Sequence, residues 1–264
     1  MNTLELAKQR RSVRTFDGNP LTPQDREKIE NFIKSVQNPF GQSVEFILLD
    51  AKENGLSTPV IKGETLYVAA KIQKAPLSEE AYGFSFEQLV LFAQSLGIGT
   101  TWIGGTMKRE MFEKAADVRG NERMYCVSPL GYPAKKMSVI EITMRKGVKA
   151  DKRKSAEELF FEKDFSTPFK TENQTVLQAL EAVRLAPSAV NMQPWRIVAD
   201  GEKYHFYISH KKGYDANADR DIQKVDMGIA LCHFMNTAGG ELVVENPGIT
   251  CANGVEYTAT VIIK

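Results

Sequence analysis

Apolar positions along the chain fall into two successive sets of helices and strands. Asn2 to Gln9 reads as a short amphipathic helix with Leu4 and Leu6 turned inward. After a polar turn at Asp17-Gly18-Asn19-Pro20, Thr22 suits an N-cap and Pro23 the first helical position. Ile29, Phe32, Ile33 and Val36 then recur at i, i+3, i+4 and i+7 as one buried face. Asn38-Pro39-Phe40-Gly41 ends that helix, and strands are predicted from Val44 to Leu49 and from Leu66 to Ala70. Ser85 is the expected cap of the next helix, with Phe86, Leu89, Val90 and Ala93 as its stripe and Gly97 at its end. A turn and short strand from Thr100 to Gly105 lead to an N-capped helix around Lys108 to Ala116, then to a buried strand from Tyr125 to Gly131. Between Ala134 and Lys154 lysine and arginine are dense and periodicity is weak, which predicts a surface crossover.

The order of elements then begins again. Thr175 to Leu185 is predicted helical, with Val176, Leu180 and Val183 on one face. A Pro-Ser turn, strands at Trp195 to Val198 and Tyr204 to Ile208, and a helix from Asp226 to Met235 follow. The chain closes with strands near Leu242 to Val244 and Thr258 to Ile263. Both halves run helix, Pro-containing turn, strand, strand, helix, so an internal duplication is expected, with halves at 1–170 and 171–264.

Composition narrows the function classes. The 264 residues are 42% hydrophobic and 25% charged, an ordinary globular balance. With 34 basic and 33 acidic residues the net charge is +1, which gives no global field for nucleic acid or an anionic membrane. Any anion site must come from a few locally placed cations. Cys126, Cys232 and Cys251 form no CxxC pair, and His205, His210 and His233 no HExxH spacing. No signal-peptide core and no run approaching ~18 apolar residues is present, so a cytoplasmic protein with reduced thiols is expected.

Four segments carry candidate chemistry. In Arg10-Arg11-Ser12-Val13-Arg14, residues 10, 12 and 14 alternate, so in an extended segment two guanidinium groups and a hydroxyl share one side and suit a phosphate. A solvated surface string is the bland alternative. In Ala186 to Trp195, two prolines stiffen a turn whose Ser188, Asn191 and Gln193 suit the polar edge of a flat heterocycle. The alternative there is a helix-to-strand connection whose amides satisfy only local backbone. Thr101-Trp102-Ile103-Gly104-Gly105-Thr106 offers close backbone approach and uncovered N–H groups, or simply a turn. Lys149 to Lys154 reads as a solvated basic run from which Lys152, Arg153 or Lys154 could join an anion site.

Together these segments resemble the FMN-dependent nitroreductase family. The matches are RRSVRTF (Arg10 to Phe16), PSAVNMQPW (Pro187 to Trp195), LGIGTTWIGG (Leu96 to Gly105) and LGYP (Leu130 to Pro133). The resemblance implies an α+β fold, non-covalent FMN and electrons from NAD(P)H, passed by a ping-pong mechanism to a nitroaromatic, quinone or similar flat acceptor. Flavin fragmentation, reductive dehalogenation, or a flavin-binding sensor without turnover are the alternatives within the same fold. By resemblance, Arg10, Arg11, Ser12 and Arg14 would bind the phosphate and ribityl end. Pro187, Ser188, Asn191 and Gln193 would line the isoalloxazine, and backbone around Trp102, Ile103, Gly104 and Gly105 would approach its reactive edge. Lys152 or Arg153 would close over the phosphate.

One departure from the family is informative. RRSxR and PSxxN are close in typical members but far apart here. The first half carries a degraded Gln37-Asn38-Pro39-Phe40-Gly41-Gln42-Ser43-Val44 where PSxxN belongs, and the second half carries Asp164 to Phe169, without arginine, where RRSxR belongs. Since family dimers build each site from both subunits, the expectation is a pseudo-dimer within one chain: one retained FMN site, no catalytic side chain, no metal and a monomer in solution.

Overall fold

A computed structural model of the protein describes residues 2–211 and 220–263. It is a mixed α/β chain that divides into two compact units. One comprises residues 9–78 and 85–151; the other comprises 1–8, 79–84 and 152–264.

In the first unit, α2 (Pro23–Ser35) starts as expected, with the Thr22 hydroxyl accepting from Asp25 N and Pro23 at the helix start. Strands β1 (Glu45–Asp50) and β2 (Leu66–Gln73) pair antiparallel, Glu45 opposite Lys71 and Asp50 opposite Leu66. Along β2 every residue but the last is buried. β3 (Glu122–Arg123) and β4 (Val127–Leu130) both pair antiparallel with β2. α4 (Arg109–Ala115) contributes Phe112 to a core that includes Val13, Phe16, Tyr67, Ile103 and Val127. Lys108 precedes α4 without a side-chain cap. The predicted strand at Thr100 to Gly105 is only two isolated bridges, from Thr100 to Ser12 and from Ile103 to Val127.

Two further predictions in this stretch differ from the structure. α3 (Ser78–Ser95) begins two turns before Ser85, directly after Leu77, a non-glycine residue at φ 64°. Residues 80–87 are all buried, so the helix has no polar face whose edge would mark its start. The stretch read as a surface crossover contains α5 (Val139–Gly147), with Glu141 completely buried.

The second unit collects α1 (Thr3–Gln9, through Lys8), the first turns of α3, and everything after Asp151. Here α6 (Ala156–Leu159) opens with a Ser155–Glu158 capping box, and β5 (Phe160–Glu162) follows. β5 pairs in parallel with β6 (Trp195–Asp200), Phe160 opposite Ile197. That pairing draws residues 152–170 into the C-terminal unit, so the compact units do not follow a division at 170/171. α7 (Gln174–Leu185), capped by Asn173, precedes the hairpin of β6 with β7 (Lys203–Ser209). α8 (Ile222–Ala238) then leads to β8 (Glu241–Val243) and β9 (Val255–Ile262), giving the sheet order β5-β6-β7-β9-β8.

Gly83 and Gly228 permit a close approach of α3's first turns to α8. A Cβ on Gly83 would lie 2.1 Å from the Val225 carbonyl oxygen, and one on Gly228 would lie 2.0 Å from that of Glu80. Each unit contains helix, antiparallel strand pair, helix and a returning strand antiparallel to the second strand of the pair, as α2-β1-β2-α3-β4 and α7-β6-β7-α8-β9. Among the described residues no helix is long and apolar enough to cross a membrane.

Candidate functional site

The segment 10–16 lies extended in the first unit, fixed by backbone on both sides. Val13 N donates to Thr100 O at 2.8 Å, Phe16 N to Lys62 O at 2.8 Å, and Lys62 N to Arg14 O at 2.9 Å. Val13 and Phe16 are sunk into the core. Room for them comes from the glycines of the two neighbouring motifs. A Cβ on Gly99 would come within 2.8 Å of the Val13 side chain, and one on Gly131 within 2.9 Å of the Phe16 ring. LGIG and LGYP therefore seat the segment that carries the arginines. The glycines of LGIG and LGYP were the available signal for this packing, although in sequence these segments stood out only as family matches.

With Val13 turned inward, the alternation of an extended chain leaves Ser12 and Arg14 on the other side. The side chains of Arg10, Ser12 and Arg14 make no hydrogen bond or ion pair to any described residue. Arg10 Nε is buried with no acceptor. Burial holds the Arg10 guanidinium below its ordinary range; nearby Glu87 opposes that shift and nearby Arg145 reinforces it. Arg14 is lowered for the same first reason, with Glu141 opposing and Arg145 and Arg10 reinforcing. Half-buried cations placed near one another, without acceptors, are costly unless an anion joins them.

Arg11 behaves differently. Its Nη1 lies 2.5 Å from Glu141 Oε1, and Glu141 Oε2 accepts from Arg14 N at 3.1 Å. Arg11 thus ties the segment to α5. Trp102 Nε1 donates to Glu87 Oε2 at 3.0 Å, and its ring contacts Phe86. Ile103 is buried and bonded both ways to Val127, while Gly104 O accepts from Arg109 Nη2 at 2.9 Å. The N–H groups of Gly104 and Gly105 meet no acceptor among the described residues, and space for a Cβ at Gly105 is open.

The other predicted residues lie in the second unit. Ala189–Asn191 forms a short 3-10 turn in which Val190 (φ 41°) and Asn191 (φ 60°) are left-handed, as is Gln193 (φ 52°). Such strain persists only where the surroundings over-determine it, and here they do. Gln193 N donates to the Ser188 hydroxyl at 2.9 Å, and Ala189 N to the Asp226 carboxylate at 3.0 and 3.2 Å. Asn191 Nδ2 donates to Lys152 O at 2.8 Å, Arg153 Nη1 to Asn191 Oδ1 at 3.0 Å, and Lys154 N to Gln193 Oε1 at 2.8 Å. The amides of this loop therefore hold residues 152–154 in place. Pro187 sits at the mouth of the loop, half-buried. Asp226, which the sequence placed only at the start of a helix, is buried, and burial pushes its carboxyl well above the usual range.

Residues 2–238 match the model of a family described as "Putative TM nitroreductase". The chain belongs to this family. Membership supports a general oxidoreductase role. Among solved structures, a "putative nitroreductase" of Thermotoga maritima MSB8 is 23% identical, with a TM-score of 0.63 covering 100% of this chain and 94% of that one, and shows the fold. A nitroreductase family protein of Clostridium novyi NT is 20% identical with a TM-score of 0.43, covering 51% of this chain and 87% of that one. An FMN-dependent nitroreductase of Clostridium difficile R20291 is 20% identical with a TM-score of 0.43, covering 53% and 94%. No curated protein matches the chain.

Proposed function

We propose that the protein is an FMN-dependent oxidoreductase that takes hydride from NAD(P)H and reduces a flat acceptor such as a nitroaromatic or a quinone. The observation that carries this reading is the trio Arg10, Ser12 and Arg14, whose side chains have no hydrogen-bond or ion-pair partner among the described residues although Arg10 Nε is buried. Two guanidinium groups and a hydroxyl on one extended strand fit a terminal phosphate, the charged end of FMN. Bound FMN supplies the two-electron redox chemistry, and the protein contributes binding, orientation and electrostatics. Arg10 and Arg14 would hold the phosphate, with Ser12 donating between them. The open N–H groups of Gly104 and Gly105 would stabilise negative charge on a bound ring. No side chain is assigned a nucleophilic or acid–base role.

The repeated element order supports an internal duplication in which only the N-terminal half kept its arginines. At the matching place in the C-terminal half, the Asp164 carboxylate binds Ser166 N at 2.7 Å, an arrangement that repels a phosphate. One FMN per chain is the consequence, and a monomer is the proposed assembly.

The test is the flavin-to-protein ratio from the absorbance spectrum of the purified protein, followed by anaerobic addition of NADH or NADPH. About one FMN per chain, bleached by the nicotinamide, is expected. Two per chain would overturn the single site, and none, even after reconstitution, the cofactor assignment. Arg10→Ala with Arg14→Ala weakens FMN retention by at least about 2 kcal/mol, since each charge-assisted contact contributes roughly 1.5–3 kcal/mol.

A further inference from the structure

α5 is inverted relative to an ordinary surface helix, which hides its apolar residues. Val139, Ile140 and Ile142 are 78%, 49% and 42% exposed, while Glu141 is completely buried. Its inner face is polar because it lies against the arginine segment. Ser138, the N-cap, receives a hydrogen bond from Thr15 Oγ1 at 3.0 Å, and Ser138 N donates to that same Thr15 oxygen at 3.0 Å. Glu141 then takes Arg11 and the Arg14 amide. Arg145 follows at i+4 from Glu141, on the same helix face, and its side chain is only 17% exposed.

We propose that Arg145 is a third cation of the anion site formed by Arg10, Ser12 and Arg14, and that it contacts the ligand's phosphate. The inference rests on the FMN reading and adds to it a binding residue from outside the motif. Around the site, the guanidiniums of Arg10, Arg11, Arg14 and Arg145 face the carboxylates of Glu87, Glu141 and Asp151. Glu141 is already engaged by Arg11, and Glu87 by Trp102. The partner of Arg145, Asp151, lies 2.5 Å away but is 83% exposed, so water screens most of its hold. Positive charge is therefore in surplus around Arg10 and Arg14, and Arg145 weakens proton binding at both. A phosphate dianion removes the surplus. The competing role for Arg145 is purely local: a cation in the last turn of α5, complementing the helix dipole and Asp151.

FMN and riboflavin separate the two roles, because they differ only in the phosphate. Protein freed of flavin is titrated with each, following quenching of flavin fluorescence. In the parent protein FMN is expected to bind far more tightly than riboflavin. Arg145→Gln is expected to weaken FMN about tenfold or more and leave riboflavin unchanged. Arg145→Lys should recover part of the loss, and Lys146→Gln, an exposed neighbour, should change neither ligand. Binding of FMN should also become less sensitive to salt in Arg145→Gln. A parent protein that prefers FMN, with that preference unchanged in a folded Arg145→Gln variant, would overturn the role of Arg145 alone. A parent that does not prefer FMN over riboflavin overturns the phosphate reading itself.

Discussion

Glu141 is the residue on which the geometry of the arginine segment depends most directly, and replacing it tests that dependence. The side chain is fully buried, and both carboxylate oxygens are used: one on Arg11 at 2.5 Å, the other on the Arg14 amide at 3.1 Å. Hydrogen bonds to a charged partner contribute about 1.5–3 kcal/mol each, and breaking a buried pair costs roughly 3–5 kcal/mol when the remaining charge stays buried. Arg11 is 32% exposed, so water can reach it once Glu141 is gone, which lowers the expected cost. Glu141→Ala should therefore destabilise the protein by about 2–4 kcal/mol. Glu141→Gln keeps an acceptor for the Arg14 amide but not the charge, and should cost about half as much.

Urea unfolding gives the size of the effect, and amide hydrogen exchange shows where it acts. Because the chain forms two compact units, a global transition need not be two-state, so the local measurement matters more. In Glu141→Ala the Arg14 amide should exchange much faster, with Gln intermediate. Added salt should change the difference little, since a buried pair is poorly screened. If Glu141→Ala unfolds within about 0.5 kcal/mol of the parent and exchange at Arg14 is unaltered, then α5 does not anchor the segment.

Two other perturbations follow from the second unit. Gly228→Ala and Gly83→Ala each drive a Cβ to about 2 Å from a backbone carbonyl oxygen; each should cost about 3 kcal/mol in urea unfolding, whereas Gly147→Ala, with no atom within 4 Å of its Cβ, should be neutral or mildly stabilising. Burial pushes the Glu80 carboxyl up to about 8 from 4.5, so its contribution to stability is full below 4.5 and is lost as pH rises through about 8. Glu80→Gln should flatten that decline in a series of unfolding curves from pH 5 to 9, and an unchanged slope would show that the carboxyl is not buried in solution.

Much of the architecture was legible because amphipathic periodicity worked wherever an element has one wet face. α2 and α7, both with exposed polar sides, appear almost where their patterns put them. The pattern failed for α3, whose residues 80–87 are buried on every side. Gly83 and Ser85 look like breakers in sequence, yet Gly83 is small because the Val225 carbonyl lies against it. α5 failed for the opposite reason. Its apolar residues face out and its acid faces in, so weak periodicity and many lysines read as a surface crossing.

The same logic separates the two candidate segments. Alternation in Arg10 to Arg14 was informative because an extended strand sorts neighbours onto opposite sides, and Val13 demonstrably takes the inner one. What alternation could not supply was the difference between Arg11, paired with Glu141, and Arg10, whose buried Nε meets no acceptor among the described residues. That difference comes from α5, more than a hundred residues later in sequence. In the loop from Pro187 to Gln193 the polar side chains were equally visible, but the Asn191 and Gln193 amides bond residues 152–154 and the Ser188 hydroxyl accepts from Gln193 N, while Asp226 holds the Ala189 backbone. A polar cluster in sequence thus becomes evidence for a ligand only after its protein partners are counted: the loop's amides bond to chain, whereas the side chains of Arg10 and Arg14 meet no partner among the described residues.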